Sequence, residues 1–335
     1  MLPQRTAPES TVAATLARRG LSRRGFLKLG AALAAGLALP ADAARAIVRG
    51  LERAPRPRLV WLAFQGCTGC TESFTRCADP TAESLILQAA SLDFHPTLQA
   101  AAGRQADDAL NDALSRPGYV LVVEGAVPTR AGYATTSGGD DLALLRRAAR
   151  GAELVLAVGT CAAFGGLPAA APNPTGARSV ESALPADADR ERVVNLPGCP
   201  PVPAVIGGTL AHWLAYRRPP SSDSLGRPLA WYGETVHDRC SRRRAFDERR
   251  YARRFDDRTA RAGGCLLQLG CKGPHVRNAC SRVGWNAIRT YPMQAGHGCI
   301  GCSEPGFWDK GGIYEFVPPR RRGGRGRFDS TGRGA

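Results

Sequence analysis

Ten of the eleven cysteines in this chain, together with one histidine, fall into three groups whose spacing suits metal rather than disulfide chemistry. The groups are Cys67, Cys70, Cys161 and Cys199; then His237, Cys240, Cys265 and Cys271; then Cys280, Cys299 and Cys302. Only Cys77 is left over. Each group looks like a ligand set for an iron–sulfur cluster, and three such sets in one chain imply the movement of electrons.

At 335 residues and 44% hydrophobic, the chain can bury a substantial core and organise about two domains. Short apolar runs rich in β-branched residues at 59–64, 119–123, 154–158 and 193–196 read as buried strands. Helical patterns lie between them: one opens at Asp140 and Asp141 and closes on a cap at Gly151, and another covers 205–213. This alternation predicts an α/β fold with a doubly wound parallel sheet. Ligands gather beyond the carboxyl ends of such strands, and the first group falls there each time. Cys67 and Cys70 follow the run at 59–64, Cys161 that at 154–158 and Cys199 that at 193–196, so three loops converge on four thiolates suited to a [4Fe-4S] cube. From about Pro219 the pattern changes to few apolar periodic runs with many Cys, Gly, Arg and aromatic residues. A conventional core looks thin there, and cluster binding would supply the missing folding free energy.

The formal charge of +16 invites a nucleic-acid reading, but much of the excess sits at the two ends. Residues 1–46 carry seven basic and two acidic residues, and 320–335 carry six arginines and one aspartate. The body has no basic stripe interleaved with aromatics, which excludes that class. Near the start, Ser22-Arg23-Arg24-Gly25-Phe26-Leu27-Lys28 precedes an apolar run from Leu29 to Leu39 and then Ala41-Asp42-Ala43. This resembles a twin-arginine export signal, cleaved after Ala43 or Ala46. That route carries folded cargo, as a cluster protein assembled in the cytoplasm requires. The expected location is the periplasm or the outer face of the cytoplasmic membrane, with no transmembrane helix after signal removal.

Longer stretches carry a family resemblance. Gly66-Cys67-Thr68-Gly69-Cys70-Thr71-Glu72-Ser73, Gly159-Thr160-Cys161-Ala162 and Pro197-Gly198-Cys199-Pro200-Pro201 resemble the small subunit of nickel–iron hydrogenases. So do Tyr232-Gly233-Glu234-Thr235-Val236-His237-Asp238-Arg239-Cys240, Leu269-Gly270-Cys271-Lys272-Gly273-Pro274 and the stretch from Ala295 through Cys299 and Cys302 to Trp308. The resemblance covers about residues 58–310. With the export signal read at 1–46, it implies a flavodoxin-like doubly wound domain at 47–218. A loop-rich, cluster-organised C-terminal domain at 219–317 would follow, and the low-complexity composition beyond it predicts an Arg/Gly-rich disordered tail at 318–335.

The resemblance also implies the cofactors. Cys67, Cys70, Cys161 and Cys199 would hold the proximal [4Fe-4S] cluster, and His237, Cys240, Cys265 and Cys271 the distal one. Cys280, Cys299 and Cys302 would hold a medial [3Fe-4S] cluster, because Pro292 stands where a fourth cysteine could have been. Members that tolerate oxygen carry two further cysteines; Gly69 and Gly166 stand there, which implies the standard, oxygen-sensitive form. No group resembles a nickel site, so the Ni-Fe centre belongs to a partner, the hydrogenase large subunit, and this chain has no catalytic residue of its own. Electrons from H2 oxidation would leave for a cytochrome or quinone-linked acceptor, and the export machinery is a transient partner. Glu72, His297 and Cys77 receive no role. The competing readings are a hydrogen-sensing subunit, a structural zinc protein and a stand-alone ferredoxin-like carrier.

Overall fold

The four apolar runs form four adjacent strands of one parallel sheet. The structure, a computed structural model, describes residues 56–318 apart from 79, 287–289 and 310–312. The export signal and nearly all of the arginine-rich tail lie outside these residues. Strands β1 (Arg58–Ala63), β2 (Ser91–Phe94), β3 (Tyr119–Glu124), β6 (Ala152–Val158) and β7 (Val193–Leu196) are ordered β2-β1-β3-β6-β7. All the pairings among them are parallel. A two-stranded antiparallel hairpin, β4 (Thr135–Thr136) and β5 (Gly139–Asp140), stands apart.

Apart from the edge strand β2, the strands are buried on both faces, which is why they read as continuous apolar runs. On one face Leu59, Trp61, Val120, Val122, Leu154 and Leu156 pack together. Val60, Leu62, Leu121, Val123, Val155 and Ala157 pack on the other. Successive side chains alternate between faces, as the pleat demands. The second face is covered by α2 (Arg104–Ser115) through Leu110 and Ala113, and by α3 (Asp141–Gly151) through Leu144, Leu145 and Ala148. The Asp140 carboxylate caps α3 by accepting from the Ala143 N–H at 2.9 Å. Gly151 is not the cap; it is the last helical residue, and a Cβ there would lie 2.9 Å from the Tyr119 hydroxyl. Close approach of the tyrosine, rather than a left-handed turn, accounts for that glycine. The first face is covered by α5 (Pro203–Tyr216), the expected 205–213 helix extended at both ends.

Beyond Pro219 the described chain has only short helical turns, among them Leu229–Tyr232, Val236–Arg239, Arg243–Asp247 and Cys280–Val283. Its core is less thin than the sequence implies. Trp231, Tyr232, Val236, Leu266, Val276, Tyr291 and Met293 are buried in the same apolar cluster as α5 and β1. A buried arginine pins the seam: Arg227 bonds Asp223 at 2.9 Å and Glu304 at 3.0 Å. The Tyr232 hydroxyl donates to the Pro197 carbonyl at 2.7 Å. No helix of the described residues is long and apolar enough to cross a membrane.

Candidate metal centre

The first group assembles at the carboxyl edge of the sheet. Cys67 precedes α1 (Gly69–Thr75), Cys70 lies in its first turn, Cys161 lies in α4 (Gly159–Phe164) directly after β6, and Cys199 follows β7. Two of these thiols thus sit on helices rather than on the loops expected from sequence. Burial pushes the Cys70 thiol well up, and Glu124, Cys161, Cys67 and Cys199 add to the shift. Burial likewise raises Cys161 to about 11, with Cys199 next in effect. Cys67, Cys161 and Cys199 therefore lie near enough to Cys70 for their charges to reach it.

Glycines make room for them. A Cβ on Gly159 (φ +91°) would stand 2.4 Å from the Cys70 sulfur, and one on Gly166 (φ +57°) 2.7 Å from the Cys161 sulfur. A Cβ on Gly69 would approach the Cys67 sulfur to 3.1 Å.

The second group lines a single pocket, with Val236, Leu266, Leu267 and Met293 supplying apolar walls around His237, Cys240, Cys265 and Cys271. The His237 Nε2 atom is buried without a hydrogen-bond partner. Its ring meets the Phe246 ring edge-on at 4.5 Å. Burial first, then the Arg243 charge, lowers the histidine's pKa, so at neutral pH the imidazole keeps a free lone pair. Burial pushes Cys265 up to about 11 and also raises Cys240.

In the third group burial pushes Cys280 up to about 12, with Cys302 the next cause. Burial also raises Cys299, followed by the effects of Cys271, Cys302 and Cys280. Pro292 lies at the surface between buried Tyr291 and Met293.

These residues fit iron–sulfur clusters. Thiols that resist ionisation when buried together become ligands once iron supplies the compensating charge, and an orphaned imidazole nitrogen needs such a partner. Among the described residues no three His, Cys, Asp or Glu side chains close tightly enough to hold one metal ion. A polynuclear cluster keeps its ligands farther apart, with iron and sulfide between them.

Three residues noted in the sequence stand outside the groups. Glu72 is exposed and paired with Arg76 at 2.6 Å. His297 is exposed beside Phe255. The Cys77 thiol donates to the Pro203 carbonyl at 3.0 Å, and burial pushes it up to about 12, as for a packing residue.

Glu124 escaped the sequence reading. It is 2% exposed and accepts from the Cys70 and Thr71 N–H groups, each at 3.1 Å, and from the Trp61 indole at 3.2 Å. The Thr71 hydroxyl also donates to it. Its carboxylate thereby holds the first turn of α1, and Cys70 with it. The available signal was an acidic residue closing an apolar strand at the edge where ligands collect.

Residues 232–315 match the family described as the C-terminal part of the NiFe/NiFeSe hydrogenase small subunit, and residues 67–213 match the NADH ubiquinone oxidoreductase 20 Kd subunit family. The hydrogenase-1 small chain of Citrobacter freundii is 44% identical over 316 residues, covering 93% of this chain and 83% of that one. This chain belongs to the small subunits of nickel–iron hydrogenases. A periplasmic [NiFe] hydrogenase small subunit of Nitratidesulfovibrio vulgaris is 43% identical, with 90% of this chain and 95% of that one covered. The nickel–iron–selenium hydrogenase of Desulfomicrobium baculatum superimposes with a TM-score of 0.68 at 34% identity, covering 76% of this chain and 96% of that one. As a small subunit, the chain is the electron-transfer, non-nickel half of a hydrogenase heterodimer.

Proposed function

We propose that the chain passes electrons from H2 oxidation at the large subunit's Ni-Fe centre through three clusters to a cytochrome or quinone-linked acceptor. The observation that carries this reading is the gathering of ten thiols and His237 into three adjacent groups within one chain. Cys67, Cys70, Cys161 and Cys199 hold the proximal [4Fe-4S] cluster; His237, Cys240, Cys265 and Cys271 the distal [4Fe-4S]; Cys280, Cys299 and Cys302 the medial [3Fe-4S]. Bound clusters take up and release single electrons.

The protein's part is placement and tuning. Cys67 and Cys199 are exposed, so the proximal group opens on a surface available to the large partner. The neutral His237 adds no charge where a thiolate would, which raises the potential of its site. The glycines packed on the Cys67 and Cys161 sulfurs support the oxygen-sensitive form.

The sheet order β2-β1-β3-β6-β7 supports a flavodoxin-like first domain at 47–218. The separate family matches on either side of Pro219 support a cluster-organised domain at 219–317. The Arg23-Arg24 motif and the periplasmic relative support twin-arginine export to the periplasm.

The complex, purified anaerobically through this chain, provides the test: iron, zinc and nickel contents with electron paramagnetic resonance of an oxidised sample. About eleven irons per small subunit, a three-iron signal and nickel on a larger copurifying chain are expected. Zinc without iron, or no larger partner, overturns the reading.

A further inference from the structure

The third group touches both others through its backbone. Toward the second group, the Cys299 N–H donates to the Cys271 sulfur at 3.2 Å, while the Lys272 N–H donates to the Cys299 carbonyl at 2.7 Å. Toward the first group, the Cys302 carbonyl is the point of contact. That second junction has a side chain at its centre. Thr160 is 1% exposed, and its hydroxyl accepts from the Gly198 N–H at 2.9 Å while donating to the Cys302 carbonyl. Its own N–H donates to the Gly198 carbonyl at 3.0 Å. One hydroxyl thus ties the residue before Cys199 to the backbone of Cys302, which lies 142 positions beyond Thr160 itself.

We propose that Thr160 is a positioning residue for electron transfer, setting the Cys199–Cys302 junction through which an electron passes from the first group to the third. This rests on the ligand sets proposed above. The step is a single-electron transfer in which no bond forms or breaks: the first group is oxidised and the third reduced. Its rate depends on how closely the Gly198–Cys199 backbone is held to Cys302, and the hydroxyl's bond to the Cys302 carbonyl withdraws charge from that residue, raising the potential of the third group.

Thr160→Val keeps the shape and removes the hydroxyl, leaving the Gly198 N–H without its acceptor and the Cys302 carbonyl without its donor. In the whole heterodimer, with its iron content measured, two readouts are followed by electron paramagnetic resonance. One is the midpoint potential of the third group; the other is its rate of reduction after mixing with H2. The expected result is a lower midpoint and about tenfold slower reduction in T160V, the low end of the cost of losing an outer-shell partner, with both restored in Thr160→Ser.

Wild-type potential and rate in an iron-replete T160V overturn the proposal. Should T160V not load its iron, Thr160→Ala carries the same test. Loss of iron from both, with Thr160→Ser fully loaded, assigns the hydroxyl a purely structural role and also overturns the proposal. Wild-type protein lacking a three-iron signal would instead sink the ligand assignment itself, before any variant is compared.

Discussion

The first thiol group stands on the rim of a five-stranded sheet, whereas the second and third are held among helical turns of three to five residues. At the rim, strand ends fix the backbone before any metal arrives, and Glu124 completes the cradle with hydrogen bonds to the α1 turn. In the C-terminal region the turns are too short to be stable alone, and the thiols make up part of the core they sit in. One site is built by the fold; the other two help to build it.

The largest expected effect tests that difference directly. Removing iron should raise hydrogen exchange across 236–302 by about a hundredfold or more while β1, β3 and β6 keep their protection. Equal loss of protection in both regions, measured by mass spectrometry, would break the comparison.

Next comes the carboxylate at the rim. Glu124→Ala leaves the Cys70 and Thr71 N–H groups and the Trp61 indole without an acceptor inside the protein, and is expected to cost about 3 kcal/mol in denaturant unfolding. Glu124→Gln, which keeps an acceptor oxygen, should cost less. An alanine variant as stable as wild type would mean that the strand ends alone set the site.

A pH effect of similar or smaller size sharpens the picture of the sheet region. His95 is fully buried, and its Nδ1 accepts from the Thr97 N–H at 3.1 Å and the Leu98 N–H at 3.2 Å, so protonation would break both bonds. Burial lowers its pKa from 6.5 to about 4. The unfolded chain takes up this proton first, so the contribution is complete above pH 6.5 and is lost as pH falls toward 4, by roughly 2–3 kcal/mol. The Trp61 ring lies 4.9 Å from His95, so its fluorescence can follow the unfolding at each pH. A slope that persists unchanged in His95→Asn would assign the effect elsewhere.

The smallest effect is a control. Glu72→Gln removes only an exposed pair with Arg76 and should change stability by less than about 0.5 kcal/mol, with iron content unaltered. Loss of iron in that variant would return Glu72 to the site.

Much of this was legible before the structure. The apolar runs at 119–123 and 154–158 announced the strands Tyr119–Glu124 and Ala152–Val158, one and two residues short, because both faces of a parallel sheet are buried. The edge strand Ser91–Phe94 did not, since it is short, partly exposed and carries Asp93 paired with Arg58. Helix α2 was hidden for a related reason: only Leu110 and Ala113 among its residues are buried. Ligand residues were visible by type and motif. The groups that hold them were not, because their contacts span 54 positions from Cys70 to Glu124, 77 from Arg227 to Glu304 and 142 from Thr160 to Cys302. Local patterns carry no trace of partners so distant.

The Thr160–Cys302 tie also has a temporal side. A ribosome makes residue 160 long before residue 302, so the sheet can form while its rim still lacks this contact. The junction closes only when nearly the whole described chain has emerged. The contact that joins the rim to the C-terminal region is then among the last that the growing chain can make.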